Sequence, residues 1–322
     1  MTPRVTVSIP TYNRAGLLRE AIESVLAQSI REIEVFVSDN GSVDDTPTVV
    51  ASFDDPRLQY VRHEGGIDRE ANLSLCLRMG TAPYVTMLCD DDVMLPRNLE
   101  RKARFLDDHP EVGLVDAGFH VIGPDGALLR EDVNFGVSDV DTIMSGDRFI
   151  YRSFAETFRI TTFTLLRRSV IGSERFEVED EPFSDFGLFL RLARRADVAF
   201  LAEPLAALRM HSGAETIESG MADLLSGGYQ STLGGIDVDQ RVKRRFLAQY
   251  GHDLDDVGEL RGAARRWARD ALVGLIGREW VRQRRPSSTA RMAAAACRIE
   301  PSVPLSGRAW KGVASRMVRS LR

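Results

Sequence analysis

A chain of 322 residues, 43% hydrophobic and 28% charged, has the composition of an ordinary soluble globular protein, long enough for one large α/β domain with an appendage or for two domains. No run approaches the roughly eighteen consecutive apolar residues of a membrane span, and Met1-Thr2-Pro3-Arg4 leads straight into a strand without a signal-peptide apolar region, so the chain reads as cytoplasmic. The net charge of −5 hides an asymmetry: residues 261–322 hold fifteen Lys/Arg against three Asp/Glu, a balance of +12, which leaves −17 on residues 1–260. An acidic body with a basic tail points to an anionic surface as the tail's partner.

Cys76, Cys89 and Cys297 have no metal-ligand spacing and cannot all pair, which suits a reducing compartment. Asn40-Gly41-Ser42 and Asn72-Leu73-Ser74 match the glycosylation sequon, by chance in a cytoplasmic chain.

In chain order, Val5 to Ile9 alternates as a strand, Pro10 to Arg14 is a loop, and Leu17, Leu18, Ala21, Ile22, Val25 and Leu26 recur at helical spacing. A second strand, Ile33 to Ser38, ends in Asp39-Asn40-Gly41-Ser42-Val43-Asp44-Asp45-Thr46, where Gly41 suits a tight turn and Asp45 or Thr46 can cap a helix. Leu58 to Arg62 makes a third strand, Asp68 caps a helix carrying Arg69, Asn72 and Arg78, and Tyr84 to Leu88 makes a fourth. Strands alternating with helices predict a parallel sheet wound with right-handed crossovers, with ligands bound beyond the strands' carboxyl ends.

Two acidic stations lie at such ends. Asp90-Asp91-Asp92, between the fourth strand and a helix opening at Pro96-Arg97, places three repelling carboxylates together. A hard cation, Mn²⁺ or Mg²⁺, relieves that repulsion and prefers carboxylate and phosphate oxygens. Taken alone, such a triplet reads more readily as a solvated turn capping the next helix; the strand before it and the motifs around it reverse that preference. A carboxylate at Asp39 can accept from the imide N–H of a pyrimidine, with Arg69 on a ring carbonyl or against the ring face; by itself Asp39 is a turn-forming residue.

Beyond a strand at Gly113 to Phe119 and a turn at Gly123-Pro124-Asp125-Gly126, the pattern becomes mixed. Thr161 to Leu166 is β-like, a helix starts at Ser184-Asp185, and Val198 to Leu201 and Leu205 to Met210 read as two short strands closing with Arg209 and His211. Residues 212–240 are rich in Gly and Ser, as in a linker or flap. From Arg261 to Arg285 a cationic amphipathic helix with Trp267 and Trp280 has two readings, lying on an anionic membrane or packing on the catalytic domain.

Val7-Ser8-Ile9-Pro10-Thr11-Tyr12-Asn13-Arg14, Ser38 to Ser42 with Asp44-Asp45-Thr46, Leu88 to Pro96, Asp185 to Leu192 and Arg209-Met210-His211, in this order, resemble the family 2 glycosyltransferases over roughly residues 4–212. The resemblance implies an α/β fold of GT-A type, a doubly wound, mostly parallel sheet with a small mixed acceptor-side region and a helical C-terminal extension. It implies inverting transfer of a sugar, metal-assisted, from a UDP- or dTDP-sugar to a polysaccharide or lipid-linked glycan. Residues 1–120 would form the nucleotide-sugar-binding half, 121–211 the acceptor-binding and catalytic-base half, 212–240 a flap or linker, and 241–322 a basic helical extension.

By the same resemblance Pro10, Thr11, Tyr12, Arg14, Asp39, Arg69 and Asp90 would bind the nucleotide, Asp91, Asp92 and His211 the Mn²⁺ or Mg²⁺, and Arg209 the diphosphate, with Asp185 the general base. Single-displacement chemistry agrees: a cation neutralises the leaving diphosphate, and a carboxylate takes the acceptor hydroxyl's proton. Two residues depart from the family pattern: Cys89 and Ser184 stand where many relatives have acids. They support an alternative, a non-catalytic nucleotide-sugar-binding or scaffold subunit.

No G-x-G-x-x-G follows the first strand and no G-x-x-x-x-G-K-[ST] occurs, which disfavours a dehydrogenase or an NTPase. A nucleotidyltransferase wants a Gly-rich, Lys/Arg-bearing loop where this chain has Pro-Thr-Tyr-Asn-Arg, and nucleic-acid binding by the basic tail is electrostatically open but has no interleaved aromatics beyond Trp267, Trp280 and Trp310. The basic tail would hold the enzyme peripherally at a membrane carrying its acceptor.

Overall fold

The computed structural model describes residues 2–134, 137–156, 160–210, 233–283 and 286–303. The chain divides into two compact units, Met1–Ile150 with Phe158–Ala214, and Tyr151–Thr157 with Glu215–Arg322.

The first unit is built on one sheet. Its elements in order are β1 (Val5–Thr11), α1 (Ala15–Leu26), β2 (Ile33–Asp39), α2 (Thr46–Ala51), β3 (Leu58–Arg62), α3 (Arg69–Cys76), β4 (Tyr84–Met87), β5 (Val93–Met94) and α4 (Asn98–Asp108). Then come β6 (Val112–Ile122), β7 (Leu128–Val133), β8 (Thr142–Met144), α5 (Gly146–Ala155, which leads into the second unit), β9 (Leu165–Arg167), α6 (Arg168–Ile171), α7 (Ser184–Ala193) and β10 (Asp197–Arg209).

The strand order is β3-β2-β1-β4-β9-β6-β10-β5, with β7 against β6 and β8 against β10. β1, β2, β3 and β4 run parallel, as do β6 and β10, while β5, β7, β8 and β9 pair antiparallel. β1 has neighbours on both edges and is covered on both faces. Hence Thr6 and Ser8 are as fully buried as Val5, Val7 and Ile9.

The two strands expected at Val198 to Leu201 and Leu205 to Met210 are one strand, β10, whose register against β6 shifts on both sides of Pro204. Proline has no N–H for the ladder, so the chain bulges there and resumes instead of ending. The β-like run at Thr161 to Leu166 shrinks to β9, because Thr161 turns inward and gives its backbone N–H and hydroxyl to buried Asp116 at 2.9 and 2.7 Å.

The second unit is helical: Leu233–Tyr250, Val257–Gln283 and Pro286–Ile299. Ile236, Trp267, Ala268, Leu272, Ile276, Ala293, Ala296 and Val303 form its core. This corrects one expectation. Residues 233–240 are not a flap: they open a helix whose Ile236 is fully buried, while 212–232 lie outside the described residues. Trp267, Ala268, Leu272 and Ile276 of the basic helix face the core of their own unit. Trp267 is 8% exposed and carries the Lys243 ammonium 4.1 Å from its ring centre, with Asp239 pairing that ammonium at 2.8 Å. No helix among the described residues is long and apolar enough to cross a membrane.

Candidate active site

The carboxyl ends of β1 and β2 are stitched together. Thr11 pairs with Asp39 in register, and Asn40 donates its N–H to the Thr11 carbonyl at 2.9 Å. Asn13, in the left-handed region at φ 53°, donates its N–H to Ser42 Oγ at 2.9 Å and accepts from the Val43 N–H at 2.8 Å. Gly41 has φ +85°, and a Cβ there would meet the Gly66 nitrogen at 2.8 Å, so only glycine fits the turn. The helix after this loop is served by neither expected capping side chain: Asp44 Oδ1 accepts the Thr46 N–H at 3.1 Å.

Asp39 is fully buried. Its Oδ1 accepts the Ser42 N–H at 2.8 Å and its Oδ2 accepts the Tyr60 hydroxyl, whose pKa is raised by burial and by that carboxylate. A base read by Asp39 must therefore share Oδ2 with Tyr60. Arg69 opens α3, half exposed, with Nη1 on Glu70 Oε1 at 2.7 Å. Pro10 pairs in register with Ser38 and Tyr12 is 57% exposed past the strand end.

The acidic turn follows β4 directly. Asp90, Asp91 and Asp92 are 5%, 8% and 5% exposed, and the Asp92 N–H closes a turn on the Cys89 carbonyl at 3.1 Å. Arg14 Nη1 lies 3.2 Å from Asp90 Oδ1 and 2.7 Å from Asp91 Oδ2. Burial pushes the Asp90 carboxyl up to about 6, opposed by the Thr11 hydroxyl and Arg14. Burial and then the charge of Asp91 push Asp92 well above the usual carboxylate range, and burial followed by the Asp92 and Asp91 charges raises the Cys89 thiol. The three carboxylates resist being ionised together, since Arg14 and Arg209 do not offset their mutual repulsion and burial. Cys89 Sγ and an oxygen each of Asp91 and Asp92 lie within 4.8 Å of one another, so one divalent ion could bridge them. The two carboxylates fit a hard divalent ion such as Mn²⁺ or Mg²⁺, while the Cys89 thiol, soft and held protonated by burial, is a neighbour and not a matching ligand.

Arg209, expected on the diphosphate, is 2% exposed and lies under the turn instead. Its backbone N–H donates to Asp92 Oδ1 at 2.9 Å, Nε to the Asp91 carbonyl at 2.9 Å, and Nη1 to the Gly123 and Pro124 carbonyls at 3.2 and 3.3 Å. Nη2 meets the Glu20 carboxylate. Pairing with Ile122 at the end of β6 brings the side chain into this position, where it clamps the acidic turn to the Gly123 turn. His211 lies outside the described residues.

Asp185 sits half-buried in the first turn of α7, its Oδ1 accepting the Phe186 N–H at 2.7 Å. Ser184 beside it is 2% exposed and its Oγ is 3.3 Å from Glu70 Oε1. Burial, then the Glu181 carboxyl, push Glu70 up to about 7 against the pull of Arg69. Glu70, on α3, thus sets a buried carboxyl beside position 184. Arg191 anchors α7, with Nε on Glu174 at 3.0 Å and Nη1 on Asp180 at 3.1 Å.

Glu70, Tyr60 and Glu20 were not legible beforehand. In sequence Glu70 is an ordinary first-turn acid favoured by the helix dipole, and nothing local marks it as buried. Tyr60 belongs to an edge strand with no clean alternation, its burial pattern being intermediate, exposed, intermediate, intermediate, exposed.

A mostly parallel α/β sheet with an acidic turn at the end of β4 is the architecture of GT-A glycosyltransferases, and the solved structures agree. The mannosyltransferase PcManGT of Pyrobaculum calidifontis, solved with GDP-Man and Mn²⁺, superposes with a TM-score of 0.58 at 17% identity, over 100% of this chain and 81% of that one. S. aureus TarS 1–349, solved with UDP-GlcNAc, gives 0.52 at 15% identity over 98% and 92%.

The family described as Glycosyl transferase family 2 matches residues 6–173, just over half the chain, and the chain belongs to that family. A Rickettsia prowazekii glycosyltransferase is 34% identical over 123 residues, 38% of each chain. The GalNAc(5)-diNAcBac-PP-undecaprenol beta-1,3-glucosyltransferase of Campylobacter jejuni is 29% identical over 181 residues, 55% of this chain and 56% of that one. The aligned stretches thus span between 38% and 56% of the length of these curated relatives.

Proposed function

We propose that this family 2 glycosyltransferase moves a sugar with inversion from a UDP- or dTDP-sugar to a hydroxyl of a polysaccharide or lipid-linked glycan. The observation that carries the reading is the buried, charge-rich turn Asp90 to Asp92 set beside the stitched β1 and β2 loops. The names of the relatives agree in kind: TarS was solved with UDP-GlcNAc, and the Campylobacter enzyme is named for a polyprenyl-linked acceptor.

Asp91 and Asp92, with Cys89 adjacent, would hold a Mn²⁺ or Mg²⁺, which supplies charge neutralisation of the leaving nucleoside diphosphate. Thr11, Tyr12 and Asp39 bind the nucleoside, with Pro10 shaping the pocket, Arg69 assisting at the base and Asp90 near the ribose. Asp185 takes the proton of the acceptor hydroxyl, with no covalent sugar–enzyme intermediate. Arg209 acts by holding the acidic turn in place, and His211, outside the described residues, would be a further metal ligand.

Residues 1–120 serve the donor and 121–211 the acceptor and the base. The positive surplus on residues 261–322 fits a peripheral place on the cytoplasmic face of an anionic membrane, by charge, since Trp267, Ala268, Leu272 and Ile276 pack in their own unit's core. That step fails if deleting residues 261–322 leaves co-sedimentation with anionic vesicles unchanged.

The alternative of a donor-binding subunit without turnover rests on Cys89 and Ser184. One experiment separates the readings. Calorimetry with UDP, dTDP, GDP and CDP, each with Mn²⁺ and with EDTA, on wild type and Asp91→Ala, is followed by donor hydrolysis with the nucleotide sugars of whichever base binds. Metal-dependent binding of a pyrimidine diphosphate, lost in the variant, with turnover on acceptor or water supports the transferase. The same binding without turnover supports the subunit, and binding indifferent to metal and to Asp91 ends both.

A further inference from the structure

Glu70, in the first turn of α3, is 2% exposed. Its Oε1 accepts from Arg69 Nη1 at 2.7 Å and from the Ser184 hydroxyl at 3.3 Å. Its Oε2 is buried and receives no hydrogen bond from an N–H or hydroxyl of the described residues. The Glu181 carboxyl lies within hydrogen-bonding reach of Glu70. Two ionised carboxylates have no hydrogen between them, so this contact holds only with one proton shared by the pair. Burial, then Glu181, favours that proton against the pull of Arg69.

Glu181 and Ser184 belong to one short segment that leads into α7, and Asp185 follows directly. The Glu70 carboxyl thus holds that segment against α3 at two points. Farther along α7, Arg191 takes Glu174, Asp180 and Glu177 at 3.0, 3.1 and 3.8 Å, which occupies three other acids of the chain before α7. From β1 and β2, α3 meets the hydroxyls of Ser8 and Ser38, with His63 on that same Ser38 hydroxyl at 3.1 Å. The charges that bear on Glu70 are those of Arg69 and Glu181. When the shared proton leaves, two negative charges face each other in a buried contact, and their repulsion pushes the segment carrying Asp185 off α3.

We propose that Glu70 is a positioning residue: through a proton shared with Glu181 and through the Ser184 hydroxyl it holds Asp185 where the acceptor's proton is taken, so that turnover falls when the shared proton is lost. The inference rests on the reading of Asp185 as the general base.

The test is the pH profile of turnover by the full chain with Mn²⁺ and UDP-GlcNAc, UDP-glucose or dTDP-glucose, read as release of nucleoside diphosphate, for wild type, Glu70→Gln, Glu181→Gln and Asp185→Asn. Between pH 6 and pH 8 the wild-type kcat should fall about tenfold, as loss of a proton held up to about 7 requires, while the donor KM stays within about twofold. An amide at either position supplies the N–H that the shared proton supplies in wild type, so Glu70→Gln and Glu181→Gln should both keep their turnover across that range. Glu181 is half-buried, and its variant carries the comparison if Glu70→Gln does not fold. A fall that persists in both Gln variants, no fall in wild type, or a donor KM that rises in step with the loss of kcat overturns the proposal while Asp185 keeps its role. No release by wild type from any of the three donors, or release undiminished in Asp185→Asn, overturns the base reading and this inference with it.

Discussion

The hydroxyl of Ser184 donates to the carboxylate of Glu70 across 3.3 Å, tying the first turn of α7, which carries Asp185, to the start of α3. The pair is 114 residues apart in sequence and closes the gap left by a serine where an acid was expected. Glu70 also meets Arg69 at 2.7 Å and the Glu181 carboxyl, so two acids and one guanidinium meet where Glu70 itself is buried.

Glu70 makes stability depend on pH in a particular direction. Its carboxyl is raised from 4.5 to about 7, so between those values the folded chain keeps a proton that the unfolded chain has lost. Its contribution therefore falls as pH rises through that window and is constant below and above it. Glu70→Gln should flatten that part of the profile. Urea midpoints at pH 5, 6 and 7 for both proteins test this, and parallel slopes would refute it.

Asp185→Asn removes the proposed base and keeps its shape. Turnover should fall by roughly a hundred- to ten-thousandfold, the usual range for a general base. UDP affinity in the presence of Mn²⁺ should stay within about twofold by calorimetry, since no donor contact is removed. A variant with undiminished turnover would take the base role away from Asp185.

Arg209→Met keeps much of the side chain's volume and deletes its donors to Asp91, Gly123, Pro124 and Glu20. Leaving buried carbonyls without partners should cost about 2–4 kcal/mol in the urea denaturation free energy. Mn²⁺ and UDP binding should weaken together, because the acidic turn loses its clamp. A variant of normal stability that loses UDP affinity alone would return Arg209 to a direct diphosphate role.

Gly41→Ala places a Cβ at φ +85° and 2.8 Å from the Gly66 nitrogen. Strain from the left-handed backbone adds to the clash, so a loss of about 1–3 kcal/mol is expected. The same loop carries the Ser42 N–H on which Asp39 rests, so UDP affinity should drop with stability. Thermal melts with and without UDP read both effects, and an unaffected ligand shift would separate this loop from the nucleotide.

Local chemistry was enough to determine the first half of the sheet and the residues worth watching. The period-two alternation of Val5 to Ile9, the helical spacing from Leu17 to Leu26, Gly41 in its turn and Asp68 at its cap, where Oδ1 accepts the Ala71 N–H at 3.1 Å, depend on neighbours a few residues away. The Asp90 to Asp92 triplet drew notice by its charge together with its place between a strand and a helix. Tertiary structure decided what those residues touch. Arg14 meets Asp91 across 77 residues, Arg209 meets Asp92 across 117, and Ser184 meets Glu70 across 114. Each pairing follows from strand order and helix placement, which bring distant segments to one edge, and no periodicity within a segment encodes that. The burial that raises Glu70 and Asp90 has the same origin: a carboxylate's pKa answers to the water excluded by the rest of the fold, which its flanking residues do not control.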